Sequence, residues 1–287
     1  MKQLRAALDF ILYSNIFIGV CAVALTFTNQ LTVEGDIQFD VSCWFVLFAT
    51  IFTYSYLKFH NSENTIPSTG HRYWAVKYIQ LAKNVLLLSL LVTVCFFFQL
   101  KMKTEIILAV LAAFTALYGF VDIPFTSPKR KLRDFGLLKI FFVAVVWSVT
   151  TVIVPLRNSF VEPSMLVFLL LRRFLFVLAL TMVFEIKDMK NDEEYGLKTL
   201  PLIFGVSNTK LIAQLTLFAL ILINLVQYFF FDISLMNMLA VNLSLLISIF
   251  CIQPLREETS ELWYYFVLDG MMILQFVFVY IAAKYLG

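Results

Sequence analysis

The 287-residue sequence is 61% hydrophobic, 16% aromatic and only 14% charged, and its mean hydropathy is +0.87. A soluble domain usually has about a quarter charged residues, because its surface must be polar. This composition therefore excludes soluble globular, disordered and nucleic-acid-binding proteins. It indicates an integral membrane protein surrounded by lipid, and the net charge of +3 by itself indicates no partner.

Apolar segments separated by polar turns predict nine transmembrane helices. Each has roughly the 20 residues that a helix needs to cross the hydrocarbon layer. We place them at 8–28, 41–59, 77–98, 104–121, 136–155, 163–187, 208–231, 235–252 and 261–285. Membrane β-barrels would instead show ~10-residue strands with alternating apolar and polar residues. The predicted fold is an all-α polytopic membrane protein in which 1–287 form a single transmembrane domain.

The distribution of positive charge predicts the orientation of these helices. Most of the 22 lysines and arginines lie in the N-terminal tail and near the connections 2–3, 4–5, 6–7 and 8–9. Cytoplasmic segments of membrane proteins are enriched in lysine and arginine. We therefore expect an N-in, C-out, multi-pass protein, in the inner (plasma) membrane if the chain is bacterial. The charged connections also place any chemistry at the cytoplasmic face.

The end of the sixth predicted helix carries two aspartates with helical spacing. Asp188 and Asp192 are four residues apart, so on a helix their carboxylates lie on one face. Mg²⁺ suits such a pair, because it takes oxygen ligands and leaves positions for waters and phosphates. Lys187 and Lys198 could then neutralise a diphosphate. From spacing alone, however, a solvated acidic segment is the better interpretation, because this pattern is common.

The surrounding residues resemble the UbiA-type intramembrane prenyltransferases. In that family the second aspartate motif ends helix six and continues into Gly-x-Lys-Thr/Ser-Leu-Pro and a Phe-Gly. Here the sequence reads Gly196-Leu197-Lys198-Thr199-Leu200-Pro201 and then Phe204-Gly205. Upstream, a Leu-Tyr, a basic stretch and a Leu-Lys have the counterparts Leu117-Tyr118, Lys129 to Arg133 and Leu138-Lys139. The order of the motifs and the nine helices extend the resemblance over nearly the whole chain.

The resemblance implies a prenyltransferase that uses Mg²⁺. Such enzymes bind a polyprenyl diphosphate at the cytoplasmic face and transfer its prenyl group to a lipophilic or aromatic acceptor. By resemblance, Asp188 and Asp192 are metal ligands. Diphosphate contacts are expected from Lys139, Lys187 and Lys198, with Tyr118 nearby.

The first aspartate motif of the family, NxxxDxxxD, is missing. It is expected where helix two enters the 2–3 connection, but no aspartate occurs between Asp40 and Asp122. One interpretation is that this connection supplies substitutes. Lys58 and Arg72 would then contact the diphosphate, and His60 and Glu63 are possible ligands, although ordinary interface residues are the better interpretation of the last two.

Two other interpretations remain open at this point. The protein could keep the fold as a non-catalytic UbiA-fold protein that binds an isoprenoid or lipid diphosphate. It could also be a transport or assembly protein, but the Asp188 and Asp192 pair with Lys198 argues against that alternative. We favour a divergent prenyltransferase.

Three charged residues fall inside predicted helices. Arg172 and Arg173 lie in helix six, and Asp269 lies about eight residues into helix nine. Charges at this depth normally face the bundle interior and pair with one another. We expect Asp269 to pair with one of the two arginines. The alternative is that the arginines extend to the interface and Asp269 bonds a hydroxyl group or a water.

Overall fold

The structure is a computed structural model that describes residues 2–60, 70–120, 136–156, 161–194, 196–231 and 233–286. Within these ranges it describes all side chains except those of residues 2–6, 58–60, 70–72, 75, 116–120 and 286. The described α-helices are α1 (Lys2–Tyr13), α2 (Ile16–Glu34), α3 (Val41–His60), α4 (Gly70–Lys77), α5 (Ile79–Phe97), α6 (Met102–Phe120), α7 (Gly136–Ile153), α8 (Pro163–Glu194), α9 (Leu200–Phe230), α10 (Leu235–Ile252) and α11 (Asp269–Ile281). π-Helical segments, Trp263–Leu268 and Ala282–Leu286, flank α11.

The helices are long and apolar, so the chain is an integral multi-pass membrane protein. Within the described residues, seven helical stretches have the length and composition to cross a membrane, and Val41–Leu57 is a shorter apolar helix. Each of the nine predicted segments overlaps a described helix, and α6 covers the segment 104–121 up to residue 120. The all-helical fold class is confirmed. The number of crossings and the N-in, C-out orientation stay predictions.

The first predicted helix is interrupted, which the sequence analysis did not expect. α1 ends at Tyr13 and α2 begins at Ile16, because Asn15 adopts a left-handed backbone conformation with φ of 65°. Asparagine tolerates this conformation better than most residues. Its side chain donates a hydrogen bond of 2.9 Å to Ser55 Oγ on α3. A buried tertiary contact therefore stabilises the break.

α8 is longer than predicted, and its length places the acidic residues on a helix. The sequence analysis ended it at residue 187, but it continues to Glu194. Gly196 then adopts φ of 64°, its N–H bonds Glu193 O at 3.0 Å, and the Leu197 N–H bonds Asp192 O at 2.9 Å. This pair of bonds is the Schellman pattern, in which a left-handed glycine ends a helix.

α9 also begins earlier than predicted, at Leu200 instead of residue 208. Pro201 is in its first turn, where the missing N–H costs no helical hydrogen bond. A kink follows at Gly205, whose φ of 79° is not helical. The chain thus turns back within the few residues between α8 and α9.

α8 lies at the centre of the bundle. It packs against α7 on one side and α9 on the other, and α2 packs against α3, α7 and α11. Buried apolar side chains such as Phe176, Val177, Leu180 and Ile186 extend along α8 into the common core. The end of α8 is therefore held by its neighbours.

The beginning of α7 touches the chain between α8 and α9. A Cβ added to Gly136 would lie 2.6 Å from Thr199 Cγ2 and 2.8 Å from Lys198 O. Both distances are below normal contact, so only glycine fits without a shift of the backbone. This contact fixes the Lys198–Thr199 segment against α7.

We expect Gly136→Ala to lower the midpoint of thermal unfolding in detergent, because overpacking against a rigid backbone costs about 1–3 kcal/mol. Gly270→Ala is the matched control, since a Cβ there would meet only Phe17 Cζ at 3.8 Å. Equal unfolding midpoints for the two variants would show that the approach of α7 to residues 198–199 is not tight.

Candidate functional site

Three carboxylates form a row along the end of α8. Glu185, Asp188 and Asp192 are spaced by three and four residues, so they follow one face of the helix. We call them the carboxylate row. Glu185 and Asp192 are buried, and Asp188 is half-buried. The predicted pair Asp188 and Asp192 thus lies on a helix as expected, and Glu185 extends it by one turn toward the bundle interior.

Lysines from two helices neutralise this row. Lys139 of α7 lies 2.7 Å from Glu185 Oε1, and the same ammonium group interacts electrostatically with Asp188 and Asp192. Lys187 lies 2.6 Å from Asp188 Oδ1. The structure therefore brings together four of the predicted site residues, together with Glu185.

Three buried oxygen atoms around the row have no hydrogen-bond partner among the described residues. They are Glu185 Oε2, Asp192 Oδ2 and Thr199 Oγ1. A buried polar atom without a partner costs roughly 1–3 kcal/mol, so native proteins keep few of them. Lys198, next to Thr199, is exposed on the same turn. The end of α8 thus has acceptor oxygens, which can bind a cation, beside lysine side chains, which can bind an anion.

Aromatic rings adjoin the lysines. The Lys187 ammonium group lies 5.3 Å from the centroid of the Tyr265 ring, within the range of a cation–π contact. Phe184 packs against Tyr264 and Tyr265 with centroid distances of 5.6 and 6.3 Å. Further into the bundle, Trp147 Nε1 donates a 3.2 Å hydrogen bond to the Tyr54 hydroxyl group. A polar end followed by an aromatic interior suits a ligand with a charged head and an apolar tail.

The predicted pairing of Asp269 with an arginine is wrong for the described structure. Arg173 Nη2 donates to Leu25 O at 2.8 Å and to Asn29 Oδ1 at 3.2 Å. Arg172 Nη1 donates to Gln227 Oε1 at 2.5 Å. No ion pair within 4.0 Å joins either arginine to Asp269 in the described ranges.

The reason is the height of Asp269 in the bundle. Asp269 interacts electrostatically with Lys187 and with Cys21. Lys187 and Arg173 are 14 residues apart on α8, roughly 21 Å along its axis. Asp269 therefore belongs to the half of the bundle that contains the carboxylate row, and the arginines lie beyond it.

The remaining predicted site residues lie outside the described side chains. These are Lys58, Arg72 and Tyr118, together with the possible ligands His60 and Glu63. Among the described residues, no group of three or more His, Cys, Asp or Glu side chains is arranged to hold a metal ion. A metal at the carboxylate row would thus need ligands beyond the described side chains.

Three residues of the site, Glu185, Tyr265 and Thr199, are not among the predicted site residues. A signal for Glu185 was present, because it precedes Asp188 by three residues and Asp192 by seven, which is one helical face. Tyr265 carries no such signal, and Thr199 lies in the Gly-x-Lys-Thr/Ser-Leu-Pro motif without a spacing that relates it to the aspartates. They join the site only because the last helix and the turn after α8 pack beside the carboxylate row.

Comparisons with solved structures identify the fold. The chain is similar to a UbiA homolog from Archaeoglobus fulgidus bound to GPP and Mg²⁺ (TM-score 0.63, 10% identity, covering 95% of this chain and 98% of that one). An apo UbiA homolog from Aeropyrum pernix K1 gives a TM-score of 0.63 at 9% identity, covering 93% and 98%. A digeranylgeranylglyceryl phosphate synthase gives 0.60 at 14%, covering 99% of each chain.

These similarities extend over nearly the whole of each chain, so the chain adopts the UbiA fold. At such low identities the likeness concerns the fold alone. No protein-family model matches the sequence, and a comparison with curated proteins found no match.

We expect Lys139→Met to lower the unfolding midpoint, because Glu185 would remain buried without its ion-pair partner. The loss is on the order of 2 kcal/mol, less than for a fully buried pair because Lys139 is 39% exposed. The double variant Lys139→Met with Glu185→Gln should recover most of the loss. Additive losses in the double variant would show that the two side chains are not coupled.

Proposed function

We propose that this chain is a prenyltransferase that binds a polyprenyl diphosphate at the end of α8 and transfers its prenyl group to a lipophilic or aromatic acceptor. The observation that carries the proposal is the carboxylate row with its unpartnered oxygens beside Lys139 and Lys187. The UbiA fold supports it, because a homolog with this fold binds GPP and Mg²⁺. The positive charges near this end favour its location at the cytoplasmic face.

The donor set fits Mg²⁺ as a metal shared with the substrate. Asp192 Oδ2 is a buried carboxylate oxygen without a partner, and Asp188 lies one turn before it. Mg²⁺ is usually held by one or two carboxylates, waters and substrate phosphates, so two aspartates suffice when a diphosphate supplies the rest. When bound, the metal would supply positive charge to the leaving diphosphate.

The lysines stabilise the leaving group in this proposal. Breaking the allylic C–O bond leaves both electrons on the diphosphate, so its negative charge rises in the transition state. In this proposal Lys139, Lys187 and Lys198 interact with that charge, and fixed cations stabilise it most where little water is present. We propose that the diphosphate is also contacted by Lys58, Arg72 and Tyr118.

The aromatic interior protects the prenyl cation. Ring faces attract positive charge, and Tyr265, Phe184, Tyr54 and Trp147 extend from the carboxylate row toward the core. The apolar surroundings also exclude water, which would otherwise consume the cation. Bond formation with the acceptor then requires the acceptor to lose one proton, which completes the transfer.

A second function is favoured by a specific observation. Lys139 and Lys187 already pair with Glu185 and Asp188 within the chain, and the sequence lacks the first aspartate motif. Both features reduce the number of carboxylates free for metal ions. The second candidate is therefore a UbiA-fold protein that binds an isoprenoid diphosphate without reacting.

A binding experiment tests the site. We expect Asp192→Asn to weaken Mg²⁺-dependent binding of a non-reactive geranyl thiodiphosphate by on the order of tenfold or more, as loss of a metal contact does. Glu194→Gln is the matched control, because Glu194 is an exposed carboxylate two residues after Asp192, roughly 200° around the helix from it and therefore outside the row. Equal losses in the two variants, or binding that ignores Mg²⁺, would contradict the site.

An activity experiment separates the two functions. Purified protein is incubated with Mg²⁺, prenyl diphosphates of five to twenty carbons and a lipid extract as acceptor, and released diphosphate is measured. We expect release by the wild type that Asp188→Asn and Asp192→Asn abolish. Mg²⁺-dependent binding with no release from any donor would instead establish the non-reactive function.

A further inference from the structure

Two adjacent arginines lie inside the bundle, far from the carboxylate row. Arg173 is 5% exposed and Arg172 is half-buried, and they are the eleventh and tenth residues of α8. They diverge around the helix. Arg172 reaches Gln227 on α9, and Arg173 reaches Leu25 and Asn29 on α2. Two positive charges are therefore fixed side by side at membrane depth.

Neutral groups alone accept the hydrogen bonds described for these guanidinium groups. Their acceptors are the amide oxygens of Gln227 and Asn29 and the carbonyl oxygen of Leu25, and no ion pair within 4.0 Å involves either arginine in the described part of the chain. Arg173 Nε is buried and has no hydrogen-bond partner among the residues that the structure describes. Charges at such depth are expensive and are normally compensated.

Both arginines line one small cavity. Its polar lining consists of Arg172, Arg173, Asn29 and Gln275, and Phe176 and Leu220 are among its apolar walls. Asn29 Oδ1 accepts from Arg173, and the Gln275 amide donates to Ser244 Oγ. The space has room for about one water-sized species. The cavity is therefore very small and is lined by two positively charged side chains, one of which carries the unbonded N–H group.

We propose that this cavity binds one small monovalent anion of the halide class, such as chloride. A halide neutralises one of the two charges, accepts a hydrogen bond from Arg173 Nε, and is near the size of a single water molecule. Carboxylates, phosphate and diphosphate exceed the available space. The anion would thus join α8 to α2 and α9, and its binding is independent of the proposed prenyl transfer.

Thermal unfolding of the full chain in detergent tests the proposal. We expect the midpoint to rise by about 5 °C, with saturation, when chloride or bromide replaces gluconate at constant ionic strength. Phosphate should have no such effect. No difference between the salts, or stabilisation by phosphate but not by halides, would overturn the proposal.

A matched pair of variants tests whether the stabilisation by halide depends on Arg173. Arg173→Gln removes one charge and should abolish the dependence on halide, and Lys284→Gln removes a charge from an exposed position and should retain it. If Arg173→Gln does not fold, anomalous scattering from bromide-soaked wild-type crystals tests whether the anion site exists. A peak between the two guanidinium groups supports the site, and a water molecule alone at that position overturns it.

Discussion

The ion pair between Lys139 and Glu185 joins two helices at the level where the chain leaves the apolar interior. A carboxylate at that depth requires a cation, and Lys139 of α7 lies 2.7 Å from it. Because the pair holds α7 against α8, the same contact sets the position of Asp188 and Asp192 one and two turns later. The turn at Gly196 then brings Thr199 against Gly136 on the same helix α7. The geometry of the candidate site follows from this pairing.

Much of the fold could be predicted from the sequence, because lipid imposes simple rules. A membrane-spanning segment must satisfy its own backbone hydrogen bonds, so long apolar runs become helices. The segments 41–59 and 235–252 coincide almost completely with α3 and α10. These rules do not predict the features that depend on tertiary contacts. The helix break at Asn15 depends on a hydrogen bond to Ser55 of another helix. The sequence around Asn15 does not indicate this contact.

From spacing alone, the candidate site was predictable only along one helix, and Lys139 of α7 was predicted only by its place in the family motif. Asp188 and Asp192 share a face because of their spacing, and Glu185 follows by the same rule. The ring of Tyr265 and the hydroxyl of Thr199 come from other elements, so their position depends on packing. The partners of Arg172 and Arg173 were also not predictable from the sequence. Their burial was predictable, but the distance along the bundle that separates them from Asp269 was not, because the depth of one helix relative to another is set by side-chain packing.

The π-helical segment Trp263–Leu268 makes the last helix tolerant of a change in chain length. A π-turn contains one more residue than an α-turn, and such turns arise within α-helices as local widenings. Loss of one residue there would restore an α-turn and leave the residues beyond it facing the same way. If all the present residues formed a continuous α-helix instead, the part after the segment would be rotated by about 100°. Asp269 and Gln275 both follow the segment, so the widening keeps both of them against their neighbours. Homologous chains that are one residue shorter at this point would therefore present the same face of this helix to α2 and α10.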